Sequence, residues 1–146
     1  MSDGTRLERI TRTARAHAEA EASGDLAGCL ATLVPDPHYE FHPLGLAMRG
    51  RDLVRRYYEH YFAEFVPRVK GYELLGEWAS EAGLAQEYTI SLRVNGADEH
   101  YRVVGILIPT AEGDLLSGER LYASEGFVRR MGGDDVFREL EPLGQA

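Results

Sequence analysis

The period of the apolar positions changes along the chain. From about Thr5 to Ala22, Leu7, Ile10, Ala14, His17, Ala18 and Ala22 recur near helical spacing among charges and alanines, which predicts a first helix. Ser23-Gly24-Asp25 follows, a glycine able to end that helix in the left-handed conformation and an aspartate able to cap the next. Leu26 to Val34 reads as a short second helix stopped by Pro35. Asp36-Pro37 reads as the turn into an extended segment, because the residue before a proline is pushed out of the helical region. In that segment Tyr39 and Phe41 share one face and Glu40 and His42 the other, and Pro43, with no N–H to donate, ends the pairing. A third helix is expected from Arg51 or Asp52, with Val54, Tyr57, Tyr58, Tyr61, Phe62 and Phe65 on one face. Its tyrosine hydroxyls need partners when buried, so this helix either closes a core or lines a wet pocket.

Beyond Pro67 the spacing becomes that of strands. Val69 to Leu75, Leu84 to Val94, Glu99 to Ile108 and Leu115 to Tyr122 are rich in β-branched and aromatic residues and are parted by Ala82-Gly83, Asn95-Gly96 and Glu112-Gly113-Asp114. Asn95-Gly96 is the strongest hairpin signal and makes its two flanking strands antiparallel. On the first of these, Tyr88, Ile90 and Leu92 share one face, opposite Glu87, Thr89, Ser91 and Arg93. On the second, Tyr101, Val103, Gly105 and Leu107 oppose Val104, Ile106 and Ile108, and two apolar faces mean that both are covered, the outer one by a second subunit. Glu125 to Met131 reads as a strand end or one helical turn, and residues 1–5 and 132–146 as loosely held ends of a single domain spanning 1–146. Helices followed by a meander give an α+β class: three N-terminal helices packed on a curved, mixed or antiparallel sheet, enclosing a cavity.

Composition narrows the function classes. The chain has 146 residues and a formal net charge of −8, with a pI near 5.1. Its charges are interspersed, so the basic stripe of a nucleic-acid surface is lacking and attraction to anionic lipid is not expected. With no long apolar run and no apolar stretch of signal-peptide type at Met1-Ser2-Asp3-Gly4-Thr5, a soluble cytoplasmic protein is the expectation. Cys29, the single cysteine, cannot form an internal disulfide and reads as a buried inert thiol. The histidines His17, His38, His42, His60 and His100 are scattered, so no metal site is expected, and no phosphate loop, nucleophile elbow or other cofactor signature is present.

Acid–base chemistry or plain binding remains. His42, before Pro43 at a strand end, is suited to a cavity mouth with a pKa near neutrality, or else is a surface histidine before a turn. Glu119 shares a face with Leu121 and Ala123. If that face is covered, its carboxylate is either a general acid or base with a raised pKa or an ion-pair partner of Arg102 or Arg120. His17, on the apolar side of the first helix, is a third polar candidate or a satisfied core histidine.

Several of these stretches together carry a likeness. Ser23-Gly24-Asp25 with its short helix, Tyr39 to Pro43, Met48-Arg49-Gly50, Val54-Arg55-Arg56-Tyr57-Tyr58, Asn95-Gly96 and Glu119-Arg120-Leu121-Tyr122 resemble the SnoaL-like branch of the nuclear transport factor 2-like superfamily. The resemblance implies a cone-shaped α+β half-barrel with a small-molecule pocket at its open end, often in dimers, among relatives that include ketosteroid isomerases, polyketide cyclases, limonene epoxide hydrolases, dehydratases and non-catalytic binders. Most functional positions of those relatives are altered here. The isomerases' Asp-Pro base corresponds to His42-Pro43, their helix-one tyrosine to His17, and their protonated aspartate to Gly105. Of the epoxide-hydrolase set only a tyrosine is matched, at Tyr39. Its asparagine falls on Phe41, its Arg-x-Asp pair on Tyr88 and Ile90, and its last aspartate on Leu121. The polyketide cyclases' last-strand acid or base has Glu119 as its one stand-in.

The pocket is therefore expected to be lined by Tyr39, Phe41, Tyr58, Trp78, Tyr88, Ile90, Val103 and Leu121, with His17, His42 and Glu119 as its polar points. The expected function is cofactor-independent proton transfer, such as cyclisation, isomerisation or dehydration, on a hydrophobic carbonyl- or hydroxyl-bearing molecule such as a polyketide or terpenoid. His42 is the expected base and Glu119 the acid or the group that orients the substrate. A non-catalytic binding or accessory protein and a purely structural dimerisation module are the other readings. A homodimer through Val104, Ile106 and Ile108 is expected, with no nucleic acid and no membrane as partner.

Overall fold

A computed structural model describes residues 4–144. Helices α1 (Arg6–Ser23) and α2 (Leu26–Ala31) precede strands β1 (Leu33–His42) and β2 (Leu46–Arg49), and α3 (Arg51–His60) runs on into a π-helical turn at Tyr61–Phe65 and a 3-10 turn at Val66–Arg68. Strands β3 (Val69–Ser80), β4 (Gly83–Val94), β5 (Ala97–Pro109) and β6 (Leu116–Tyr122) follow, then α4 (Glu125–Arg138) and the short β7 (Glu141–Pro142). The seven strands form one sheet in the order β3-β4-β5-β6-β1-β2-β7, antiparallel except where β1 lies parallel to β6. The α+β class and the mixed sheet stand.

Local chemistry accounts for the helix starts. Thr5 and Glu8 form a reciprocal capping box at α1, Asp25 accepts from the Gly28 amide at α2, and Ser124 accepts from the Phe127 amide at α4. Gly24, at φ 74°, ends α1 as its sequence requires.

The helices differ in two ways from the sequence pattern. The second helix stops at Ala31, and the chain is already in β1 at Leu33, running extended through Pro35 and Pro37, with the irregularity absorbed between Leu33 and His38 in the pairing to β6. The expectation of three N-terminal helices and a loose tail from residue 132 is also corrected: a fourth helix follows the sheet, and β7 pairs with β2. Gly132-Gly133 does not end α4. Gly133 takes φ 87° and kinks the helix, and at Gly132 a Cβ would come within 2.7 Å of the Tyr57 ring, so the bare backbone lets α4 press against α3. Residues 1–3 and 145–146, parts of the ends expected to be loose, lie outside the described residues.

The core lies between the concave face of the sheet and the helices. It is anchored by Tyr58, Phe41, Phe127, Ile10, Met48, Leu84 and Leu92, all almost completely buried. Burying each such side chain contributes roughly 1.5–3 kcal/mol before entropy is counted. The face assignment of β4 holds, with Ile90 and Leu92 buried inward and Glu87, Thr89, Ser91 and Arg93 outward. On β5 the outward Val104, Ile106 and Ile108 are half-buried. One glycine decides how the sheet joins across its parallel pair. Gly118, at φ 156°, packs so closely on His38 that a Cβ there would collide with the His38 carbonyl oxygen. That contact sets Glu119 opposite Tyr39 on the inner face.

Candidate functional site

The sheet and the helices leave a cavity of about 370 Å³ on the concave side. Its floor is Glu119, Leu121, Gly105 and Leu107, from β6 and β5. One wall is Gln86, Tyr88 and Ile90 of β4 with Tyr72 of β3. Tyr57, Tyr61 and Phe65 of α3 and its π turn form the wall opposite, and Ala18, Glu21 and Ala22 of α1 close the side. The exposed Ala22 and Tyr72 stand at the mouth. There Glu77 of β3 joins Arg15 of α1 at 3.1 Å and accepts a hydrogen bond from Gln86 at 2.7 Å. The π turn widens the helix so that Tyr61 and Phe65 both reach the cavity, with ring centroids 4.8 Å apart.

Behind the floor runs a chain of hydrogen bonds. The Thr32 hydroxyl donates to the Cys29 carbonyl at 2.7 Å, so its oxygen accepts from His17 Nδ1–H, also at 2.7 Å. This fixes the imidazole. Its other nitrogen, Nε2, meets the Tyr58 hydroxyl at 2.9 Å and Glu21 Oε1 at 3.2 Å, and Tyr58 continues to the Tyr39 hydroxyl at 2.7 Å. With Nδ1 protonated, an unprotonated Nε2 facing an ionised Glu21 would set two lone pairs against each other, so the pair holds a proton between them. Burial by itself lowers the His17 pKa, but the charge and hydrogen bond of Glu21 oppose it, with Glu119 adding to the rise when it is ionised, and the pKa is raised.

Glu119 completes the cluster. Its carboxyl makes no hydrogen bond or ion pair to any described residue. Neither arginine named from the sequence reaches it: Arg102 pairs with Glu87 at 2.9 Å and Arg120 approaches Glu40 at 4.0 Å, both on the outer face. Burial pushes the Glu119 pKa up to about 8, with Glu21 adding to the rise and His17 opposing it. At neutral pH the site therefore holds a His17–Glu21 ion pair and a neutral Glu119 acid. Gly105 makes the room for it, since a Cβ there would lie 3.3 Å from Glu119 Oε1. Burial also raises the pKa of Tyr39, Tyr57, Tyr58, Tyr61 and Tyr88, so these phenols keep their protons. His17, Glu21 and Glu119 bring three donor atoms within 4.8 Å of one another, the one such group among the described residues that could hold a metal ion. His17 Nε2 is already engaged there by Tyr58 and Glu21.

Of the residues expected from the sequence, Tyr88, Ile90, Leu121 and Glu119 line the cavity. Tyr39, Phe41, Tyr58 and Val103 are buried in the core behind it, and His17, with none of its surface exposed, touches the site through Nε2. Two fall elsewhere. His42 lies on the outer face, hydrogen-bonded to Glu40 at 2.9 Å and stacked on Tyr122, because β1 and β6 pair in unbroken register from His38 to His42 and no bulge turns the ring inward. Trp78 is 60% exposed. A register shift between Leu74 and Gly76 turns it outward and points Glu77 inward in its place. Glu21 was missed, although its spacing of four from His17 puts both on one helical face; it was hidden among the many charges of α1. Tyr57, Tyr61 and Phe65 were legible as one aromatic face, but their aim into a cavity was not.

No family model matches the sequence, and no curated protein does. Solved structures do. A putative ketosteroid isomerase from Kribbella flavida aligns with a TM-score of 0.65 and 20% identity over 83% of this chain and 82% of its own. An NTF-2 like protein of unknown function from Burkholderia xenovorans aligns at 0.62 and 22% over 83% and 87%. The chain has the nuclear transport factor 2-like fold. An LEH-like epoxide hydrolase from M. tuberculosis shares it at 0.63 and 19%, over 87% and 89%. Proteins named as an isomerase and as an epoxide hydrolase thus share the nuclear transport factor 2-like cone, at identities that speak for the fold alone.

Proposed function

We propose that this chain is a SnoaL-like enzyme of cofactor-independent proton transfer, acting on a hydrophobic carbonyl- or hydroxyl-bearing small molecule. The observation that carries the reading is Glu119: an unpaired carboxyl at the floor of an aromatic cavity, with a proton it retains at neutral pH. A bound carbonyl is polarised by the protonated carboxyl. Once ionised, the same group removes a proton from the carbon beside that carbonyl and returns it elsewhere, which is an isomerisation. Passing that proton instead to a hydroxyl on the next carbon, which leaves as water, makes the reaction a dehydration. His17 and Glu21 hold the local charge fixed, and Tyr58 and Tyr39 orient His17. The aromatic walls serve equally for plain binding, which keeps a non-catalytic binding protein as the second reading. The open cavity speaks against a filled structural module. The proposal includes a homodimer through the outer face of β5, where Val104, Ile106 and Ile108 keep part of their apolar surface in solvent.

The test is proton exchange. Hydrophobic cyclic enones are incubated with the protein in deuterated water and their α-deuteration is followed by mass spectrometry. The expectation is exchange above the buffer rate that increases with pH through the Glu119 titration and falls by roughly two to four orders of magnitude in Glu119→Gln. Binding of the enones with no exchange above buffer would leave the binding reading in its place.

A further inference from the structure

The walls of the cavity are acidic and aromatic and carry no basic side chain. Glu21 and Glu119 face the space, whereas among the described residues no lysine or arginine lines it, and Arg15 nearby is held by Glu77. The lining is largely aromatic and its ring faces lie in tilted pairs: Tyr72 and Tyr88 stand 5.3 Å apart at 38°, and Tyr61 and Phe65 stand 4.8 Å apart at 32°. Such faces attract cations, more strongly where water is thin. A neutral carbonyl ligand would use the hydrogen of Glu119 and leave Glu21 with nothing from the ligand side. A small metal ion would have to take His17 Nε2 from Tyr58 and Glu21, and most of the remaining wall would offer it no donor.

We propose that the cavity selects an organic ammonium: a protonated primary, secondary or tertiary amine on an aromatic or apolar frame, its nitrogen seated between Glu21 and Glu119 and its frame against Tyr61, Tyr72 and Tyr88. This rests on the proton-transfer reading and names a class for its substrate, a basic nitrogen compound that also bears the carbonyl or hydroxyl group. A cavity of about 370 Å³ suits a ligand of one or two fused rings with a short side chain. The proton count follows. The ammonium keeps its proton, the Glu119 carboxyl gives its own to solvent, and a carboxylate–ammonium pair replaces a neutral acid. Substrate binding thereby generates the ionised Glu119 that proton abstraction needs. The groups facing Glu119 are His17 and Glu21 from α1, the Cys29 thiol of α2, and the phenols of Tyr39, Tyr57, Tyr58, Tyr61 and Tyr88. The phenols hold their protons throughout, and the His17–Glu21 pair is already balanced.

Naphthylethylamine and the neutral naphthylethanol are a matched pair of probes, to be titrated calorimetrically into the whole chain with a chelator present and in two buffers of different protonation enthalpy. The amine is expected to bind roughly ten-fold or more tightly than the alcohol, as charge-assisted contacts allow. It should release close to one proton per site near neutral pH and almost none at a pH well above 8. Glu119→Gln should abolish the proton release and most of the preference while still binding the alcohol, which also shows that the variant is folded. Glu21→Gln should weaken the preference separately. Equal affinities, or a preference that survives both substitutions, overturn the ammonium proposal and leave a neutral-ligand enzyme standing. If neither probe binds, the cavity reading falls with it.

Discussion

His17 and Glu21, one turn apart on α1, meet at 3.2 Å inside the cone rather than at its surface. The pair explains how a histidine with none of its surface exposed can hold a proton. The raised His17 pKa means that the folded protein favours the charged ring. The stability it contributes is complete below the ordinary value of 6.5 and is lost as pH rises through the raised one. Nitrogen NMR of the imidazole is expected to report a cation at pH about 7. In Glu21→Gln the opposing charge is gone, burial prevails and the ring should be neutral at that pH. A ring that stays cationic in the variant would show that Glu21 is not what holds the proton.

Glu119 shifts stability with pH in the same sense, although here it is the neutral form that the fold favours. Its folded pKa lies above that of the unfolded chain, so between about 4.5 and about 8 the folded state holds a proton that the unfolded state has released, and stability falls as pH rises across that window. Glu119→Gln removes the titration. Denaturant melts should find the variant more stable than the parent by about 1–3 kcal/mol at the alkaline end, the cost of an uncompensated buried polar or charged group, with the difference closing near the acid end. A difference independent of pH would mean that this carboxyl does not change its proton on folding.

The Gly118→Ala change tests how Glu119 is placed. A Cβ at 118 meets the His38 carbonyl oxygen across the parallel β1–β6 pair, so either strand must move. The expected cost is roughly 3 kcal/mol of stability, with loss of cavity binding in whatever still folds. Wild-type stability in this variant would mean that the two strands do not approach as closely as described.

On the outer face, Trp78 and Ile106 lie across Ala85 from one another, and Tyr122 is 43% exposed beside Val104. Ile106→Arg is expected to convert a dimer to a monomer in sedimentation at micromolar concentration, with an unchanged circular dichroism spectrum. A parent chain that already sediments as a monomer would refute the dimer.

Much of the fold was legible because its signals are local. Asn95-Gly96, the Ser23-Gly24-Asp25 cap and the alternation on β4 each act over a few residues, and each appears in the structure. The site was less legible because it is made of distances that sequence does not carry. Glu119 could be flagged as a carboxylate on a covered face, yet its neighbour Glu21 lies nearly a hundred positions earlier. His42 was drawn into the site by its proline and by the resemblance to the isomerases, against the strand alternation that argued for the outer face and prevailed. The long helix α4 was hidden by Gly132-Gly133, a pair that reads as a break and acts as a kink under tertiary packing.

The extra residue in β3 acts as a reading-frame shift for side chains. Upstream of it the even-numbered positions Tyr72 and Leu74 face inward, opposite Ile90 and Tyr88; downstream the odd-numbered Glu77 does, opposite Gln86. Deleting Leu75 would leave both pairings as they are, whereas pairing Leu75 itself with Glu87 would remove the shift, swinging the indole of Trp78 to the inner face and sending Glu77 outward, away from Arg15. Whether a single residue on an edge strand is paired or bulged therefore decides whether the mouth is polar and hinged by an ion pair or roofed by an aromatic plate. A one-residue slip in pairing at that position offers a route by which chains of this shape could exchange one class of guest for another while the floor around Glu119 stays as it is.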